Sequence, residues 1–326
     1  MKNHFLQRLS QVLVTALFVM ANVASAQTWP LKPLRLIVPF PPGGGSDGVG
    51  RIIAQKLTER LGQQVVVENR GGAGGSMGTE AAVRSAPDGY TMVLASTSEI
   101  AINPSLYARL SYDTVKDLIP VAMVATTPMV VIVNTAVQAK SMADLVAIAR
   151  AKPGELNVAS AGAGTISHLS GELFRSINGL NWTHIPYKGT GPALTDLVGG
   201  QVQVMFVPPG PALPLVKSNR ARLIAVSGRS RAPTLPDTPT VAESGGPDYS
   251  VDNWYAIFMP IGTPPEIVAR LSDEVAQSLK SPDLISLLTV QGAAPAVMNQ
   301  TQFTDYVKAE VEKWGRVVKA TGAKAD

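Results

Sequence analysis

The chain contains no cysteine, which excludes a lipid-anchored cysteine, a disulfide framework, thiolate metal sites and a catalytic thiol together. Histidine is nearly as scarce, with three in 326 residues, at His4, His168 and His184. The two later histidines have no partner at metal-ligand spacing: His168 is followed four residues on by Glu172, and His184 sits in a strand-like run. No H-x-x-x-H pair, paired-carboxylate cluster or G-K-[ST] after a glycine loop occurs, so neither a metal nor another cofactor is expected. Charged residues are only 16% of the chain, and no Lys/Arg cluster reads as a nucleic-acid surface. After residue 26 no segment approaches the roughly 20 apolar residues of a spanning helix.

What is present begins with an export pattern. Lys2 and Arg8 precede a mostly apolar run from Leu9 to Val23, and Ala24-Ser25-Ala26 fits a small-residue cleavage site. Residues 1–26 are therefore expected to be a signal peptide cleaved after Ala26, which leaves 300 residues in a bacterial-type periplasm without a lipid anchor. Removing Lys2 and Arg8 leaves 26 basic against 24 acidic residues, a near balance that gives no electrostatic reason for a polyanionic partner. The length suits two domains.

The most informative stretch is Ile37-Val38-Pro39-Phe40-Pro41-Pro42-Gly43-Gly44-Gly45-Ser46-Asp47-Gly48. A short apolar run enters a Pro/Gly loop, and Val49, Ile53, Leu57 and Leu61 then recur at helical spacing until Gly62. A helix start leaves its first N–H groups unpaired and carries about half a positive charge, so this turn is an anion cradle that needs no Lys or Arg. Two further strand-like runs end similarly: Gln64–Glu68 before Arg70–Gly78, and Thr91–Ala95 before Ser96-Thr97-Ser98. Strands alternating with helices imply a parallel sheet, whose ligands bind at the carboxyl ends of strands.

Near Val121 the rhythm changes, because two apolar runs are joined by Thr126-Thr127-Pro128 without a helix. A second unit then repeats the first unit's pattern. Strand Leu156–Ala159 leads to Ser160-Ala161-Gly162-Ala163-Gly164-Thr165 and a helix bearing His168, and strand Thr183–Tyr187 leads to Lys188-Gly189-Thr190. The chain is expected to return to the first unit around Asp248 to Pro260, and a last amphipathic helix, Thr301 to Lys319, is expected to brace a domain.

Two motif matches suggest enzymes and fail on context. Gly43-x-Gly45-x-x-Gly48 with Glu68 twenty residues on fits the dinucleotide fingerprint of an oxidoreductase, yet Pro39-Phe40-Pro41-Pro42 separates the strand from the first glycine, and an exported protein meets little nicotinamide cofactor. Gly74-Gly75-Ser76-Met77-Gly78 matches the nucleophile elbow, but the strand ends eight residues before Ser76 and no late histidine follows.

These loops resemble the Bug-type extracytoplasmic solute receptors, the substrate-binding proteins of tripartite tricarboxylate transporters. The resemblance rests on Ile37–Asp47, Val67–Gly75, Ala86-Pro87-Asp88-Gly89-Tyr90-Thr91, Ser160–Thr165 with His168–Glu172, and His184–Gly189 leading to Asp196–Val202. It implies a two-lobed α/β periplasmic binding protein fold, type II-like, each lobe a mixed, mostly parallel sheet flanked by helices with the ligand cleft between them. Lobe 1 would comprise 27–125 and 251–326, and lobe 2 would comprise 126–250. The protein would be a monomer and no enzyme, capturing a small carboxylate for delivery to membrane permease subunits; signalling to a membrane sensor is the alternative. Carried onto this chain, the ligand positions are Phe40, Gly44, Gly45, Ser46, Asp47, Gly75, Ser76, Met77, Ser96, Thr97, Ser160, Gly162, Gly164, Thr165, His168 and Tyr187. Backbone and short side chains of lobe 1 would hold one carboxylate, with ordered water reaching lobe 2. Where the family commonly has an aspartate after Met205-Phe206, this chain has Val207-Pro208, which favours a plain carboxylate over an amino acid.

Overall fold

The computed structural model describes residues 29–245 and 249–325. The signal peptide expected at 1–26 lies outside the described residues, as does Asp248. In chain order the first elements are β1 (Leu34–Val38), α1 (Gly45–Leu61), β2 (Val65–Asn69), α2 (Ser76–Val83), β3 (Thr91–Ser96), a π-turn Ser98–Ile102, α3 (Asn103–Leu106) and β4 (Leu118–Pro128). The middle of the chain forms β5 (Val130–Asn134), α4 (Met142–Ala151), β6 (Asn157–Ser160), α5 (Ile166–Asn178), β7 (Thr183–Pro186), α6 (Thr190–Gly199), β8 (Val204–Val207), α7 (Pro209–Lys217) and β9 (Ala221–Val226). It closes with β10 (Asp252–Pro260), α8 (Pro265–Ser278), α9 (Pro282–Val290), β11 (Ala294–Pro295) and α10 (Gln300–Thr321).

These strands form two sheets, in the orders β11-β4-β10-β3-β1-β2 and β7-β6-β8-β5-β9. The pairings make both sheets mixed but largely co-directional. In the first, β1, β2, β3 and β4 run one way and β10 and β11 the other; in the second, only β5 opposes the rest. The expected mixed, mostly parallel sheets are therefore present, as the strand-helix alternation requires.

Local chemistry explains the helices that matter for the cleft. On α1, Val49, Ile53, Leu57 and Leu61 are buried against Leu34, Leu36 and Val38 of β1. The helix ends where Gly62 adopts φ 68° and its N–H reaches the Thr58 carbonyl at 3.1 Å, a left-handed cap that suits glycine. Leu57 is fully buried, so Leu57→Ala would leave a cavity and cost about 2–5 kcal/mol. The last helix, α10, starts with a reciprocal cap between Asn299 and Gln302 and buries Phe303, Val307, Trp314 and Val318. Its Glu310 carboxylate accepts from both Trp254 Nε1 and Trp314 Nε1 at 3.1 Å, and Arg175 Nη2 of α5 reaches the Thr321 carbonyl at 3.5 Å, so α10 ties the two sheets together at one side.

The Thr126-Thr127-Pro128 segment continues β4 as strand, because β10 pairs along it as far as Asp252 opposite Pro128. The chain then passes through Met129 into β5 of the other sheet. Fully buried Ser227 sits where the crossing segments meet. Its hydroxyl accepts from Met129 N at 2.7 Å and donates to the Val251 carbonyl, while its own N–H reaches the Met129 carbonyl at 2.8 Å and its carbonyl accepts from Val251 N at 2.9 Å.

Candidate ligand-binding site

Between the sheets lies a small cavity. From the first sheet it is walled by Phe40, Pro41 and Gly44, by the first α1 residues Gly45 and Ser46, by Ser96 and Ser98 after β3, and by Asn253 and Tyr255 of β10. The other wall is Ala161, Thr165, the first α5 residues Ile166 and Ser167, Thr190 at the start of α6, and Pro208 before α7. No Lys, Arg, His, Asp or Glu lines it. Three helix starts therefore meet on a wall of hydroxyls, an amide and apolar groups. The N-cap glycines of α1 and α6, Gly44 and Gly189, place no side-chain cap on their helices. Backbone N–H groups at such starts favour an anion.

The α1 start is held open by a group that does not itself line the cavity. Asp47 is 6% exposed and accepts from Gly43 N at 3.0 Å, Arg51 Nε at 3.2 Å and Asn69 Nδ2 at 3.0 Å. Burial alone would raise its pKa, but the hydrogen bonds from Arg51, Gly43 and Asn69 outweigh that and hold the carboxyl below its usual range. Asn69 also donates to the Phe40 carbonyl at 3.0 Å, so both ends of the turn are tied to the end of β2. Gly45 is required by space, since a Cβ there would lie 2.5 Å from the Tyr255 hydroxyl and 2.9 Å from Pro208.

The α5 start is built differently. Thr165 caps it, accepting from His168 N at 3.3 Å while its hydroxyl donates to the Gly162 carbonyl at 2.7 Å. Ile166 N crosses the cleft to Ser98 Oγ at 2.9 Å, and Tyr107 Oη donates to the Ala163 carbonyl at 3.4 Å, so the lobes touch around the cavity. His168 and His184 stack with ring centroids 3.8 Å apart behind this turn. His168 Nδ1 accepts from Gly164 N at 3.3 Å, and desolvation, with a smaller contribution from Arg175, pushes its pKa down to about 4; it is a neutral acceptor that shapes the loop. Ser160 is fully buried, with Oγ 2.6 Å from His184 Nε2.

A second, larger and outer cavity opens beyond Phe40 and Pro41, which line both spaces. Of the sixteen positions chosen from the sequence, Phe40, Gly44, Gly45, Ser46, Ser96 and Thr165 line the inner cavity, and Gly75, Gly162 and Tyr187 line the outer one. Tyr187 donates to Asp196 Oδ2 at 2.6 Å. Asp47, Ser76, Met77, Thr97, Ser160, Gly164 and His168 line neither. Ser76 Oγ accepts from Asn103 Nδ2 at 2.9 Å, Thr97 Oγ1 accepts from Trp254 N at 3.2 Å, and Met77 is 58% exposed. Ser76 starts α2 and holds no histidine, so the elbow motif has no base beside it.

Sequence reasoning missed Asn253 because β10 starts at Asp252, three residues before the apolar run that begins at Tyr255. Antiparallel pairing sets Tyr255 opposite Ser96, a register that no local pattern announces. Ser98, Ser167 and Thr190 were closer to hand, being small polar residues on turns already singled out. Val207-Pro208 stands where an aspartate was expected, and the Pro208 ring lies against Gly45.

The model of the tripartite tricarboxylate transporter family receptor matches residues 49–323, and the chain belongs to that family. It is 39% identical over 305 residues to protein BugT of Bordetella pertussis, covering 93% of this chain and 94% of that protein. Among solved structures it is similar to R. palustris Rpa4515 with adipate, at 35% identity and a TM-score of 0.89, covering 91% of this chain and 99% of that one. MatC from Rhodopseudomonas palustris with bound malate superposes with a TM-score of 0.83 at 32% identity, covering 89% and 100%.

Proposed function

We infer that this protein is a periplasmic receptor that captures a small carboxylate, a di- or tricarboxylate or related organic acid, and delivers it to a tripartite-type membrane permease. The observation that carries this reading is the meeting of helix starts, those of α1 and α6 without side-chain caps, on a cavity without ionised side chains. Such a wall binds an anion through donors that need no proton transfer, which suits capture and release rather than catalysis. The relatives bound to adipate and malate support the ligand class. No acidic group lines the cavity to meet an ammonium, and Val207-Pro208 stands where one was expected, so a plain carboxylate fits better than an amino acid.

In this reading, residues 27–125 with 251–326 form one lobe and 126–250 the other, and the segments meeting at Ser227 act as the hinge. One carboxylate sits at Gly44, Gly45 and Ser46, with Thr165 and Thr190 closing from lobe 2. Thermal-shift screening of the chain from Gln27 onward, against adipate, malate, citrate, aromatic acids and amino acids, tests the proposal. A ligand at 100 times its Kd adds about 2.7 kcal/mol of stability. Stabilisation by at least one carboxylate and by no amino acid is expected; a shift from a nicotinamide nucleotide alone would overturn the reading.

A further inference from the structure

Behind the cavity wall lies a carboxyl group that the ligand-binding reading does not use. Glu99, in the π-turn after β3, is fully buried. One oxygen, Oε2, is 2.5 Å from Ser96 Oγ, and the other, Oε1, has no hydrogen-bond partner among the protein's atoms. Ser96 itself lines the cavity, so the residue bonded to Glu99 is also part of the wall of the ligand space. Gly75 closes over the same side chain, since a Cβ there would lie 2.5 Å from Glu99 Cγ.

Resting on the carboxylate-receptor reading, we propose that Glu99 and Ser96 form a proton-linked donor switch, in which carboxylate binding takes up one proton onto Glu99. When Glu99 is ionised, Ser96 Oγ–H must donate to it, and the serine turns only lone pairs toward the cavity. When Glu99 is protonated, its own O–H donates to Ser96 Oγ, and the serine proton is free to donate to a ligand carboxylate oxygen. No covalent bond changes; the proton comes from solvent and stays on Glu99 while the ligand is bound.

Three observations support a neutral Glu99 in the bound state. An ionised carboxylate with one unpartnered buried oxygen carries a large desolvation cost. Burial outweighs the hydrogen bonds from the Ser96 hydroxyl and from the Glu99 and Ser96 backbone, and pushes its pKa up to about 7, within reach of ordinary pH. No cation offsets this. The ionisable groups acting with it are the phenols of Tyr112, whose hydroxyl donates to the Glu99 backbone carbonyl at 2.8 Å, and of Tyr255; burial pushes both upward in pKa, so they stay neutral. The charged groups of the packed elements are engaged elsewhere: Asp47 with Arg51, His168 neutral in its loop, and Glu310 with Lys313 and the two tryptophans.

The test is calorimetric titration of the chain from Gln27 onward with adipate, corrected for its own titration at the acid end, at pH 6 to 9 in buffers of differing ionisation enthalpy. If another acid of the screening panel gives the larger thermal shift, that acid replaces adipate. The expected result is a Kd that is flat below about pH 7 and rises about tenfold per unit above it, with nearly one proton taken up per ligand at pH 8.5. Glu99→Gln should give a Kd flat across that range. Ser96→Ala should weaken binding at pH 6 and cost little at pH 9, where the serine is no longer a donor; a merely structural serine would cost the same at both. Infrared difference spectra of the ligand-free protein between pH 6 and 9 should show a protonated carboxyl band, abolished in Glu99→Gln. If Glu99→Gln fails to fold, the wild-type proton count and the Ser96→Ala comparison still decide. A wild-type Kd independent of pH overturns the switch and leaves the receptor standing, whereas failure of every carboxylate to bind at pH 6 overturns both.

Discussion

Two glycine-rich turns of lobe 1 look alike in sequence and behave differently in the fold. Phe40–Asp47, after β1, delivers the first residues of α1 to the inner cavity, while Arg70–Gly78, after β2, lines only the outer one. Neither glycine content nor the helix that follows separates them. The sheet order does, because β1 lies between β3 and β2, and β2 is the edge strand. A turn leaving an interior strand emerges at the centre of the cleft, and one leaving the edge emerges at its rim. Lobe 2 follows nearly the same rule. The α5 start, after interior β6, reaches the inner cavity, and the turn after edge strand β7 runs Pro186–Gly189 along the outer one before Thr190 turns inward.

The comparison is most sharply broken at Gly45. A Gly45→Val side chain would collide with the Tyr255 hydroxyl and Pro208, and we expect adipate affinity to fall about 100-fold or more, near 2.7 kcal/mol, in calorimetry, with the circular dichroism spectrum retained. Next comes the brace of the same turn. Asp47→Asn weakens the bonds to Arg51 and Gly43 N and should cost about tenfold in Kd without touching the ligand. Because the Asp47 carboxyl is held below its usual pKa, its stabilising effect is complete above the unfolded-state value and is lost as pH falls through the lower folded one; urea midpoints of wild type and Asp47→Asn should therefore converge in acid.

At the edge-strand turn the effects should shrink and change kind. Ser76→Ala removes one of the two hydrogen bonds of Asn103 Nδ2, leaving that to the Gly74 carbonyl at 3.0 Å, and is expected to lower stability by about 1 kcal/mol in urea denaturation, with adipate Kd changed by less than about twofold. A larger loss of affinity there would mean that the outer turn grips ligand after all. Smallest of all, Met77→Ala, at an exposed side chain, should move neither the melting temperature nor the Kd.

Much of this architecture was legible in the chain. The apolar runs and their turn residues predicted α1 to Gly62 and the strand–turn–helix rhythm of both lobes, since those signals are local. The six inner-cavity positions chosen from sequence all sit at the end of an interior strand, on the turn that directly follows one, or on the helix start that turn leads to. Asn253 and Tyr255 were not legible, because antiparallel pairing far along the chain brings them to the cavity, Tyr255 opposite Ser96 of β3 and Asn253 opposite Thr127 of β4. Nor was the burial of Ser76, Thr97, Ser160 and His168, whose polar atoms are consumed by neighbours distant in sequence or hidden behind the turn.

The sequence by itself determined that the protein lacks thiol chemistry and metal-ligand spacing, and that several small-residue turns open helices suited to anions. Only the tertiary structure decided which of those helix starts meet, because strand order is set by long-range pairing and by burial of both faces of each sheet. It likewise made Ser96 a wall of the cavity and enclosed Glu99 behind it, by packing β10, the α2 turn and Tyr112 around a carboxyl that the sequence shows only as one more acidic residue in a helical turn.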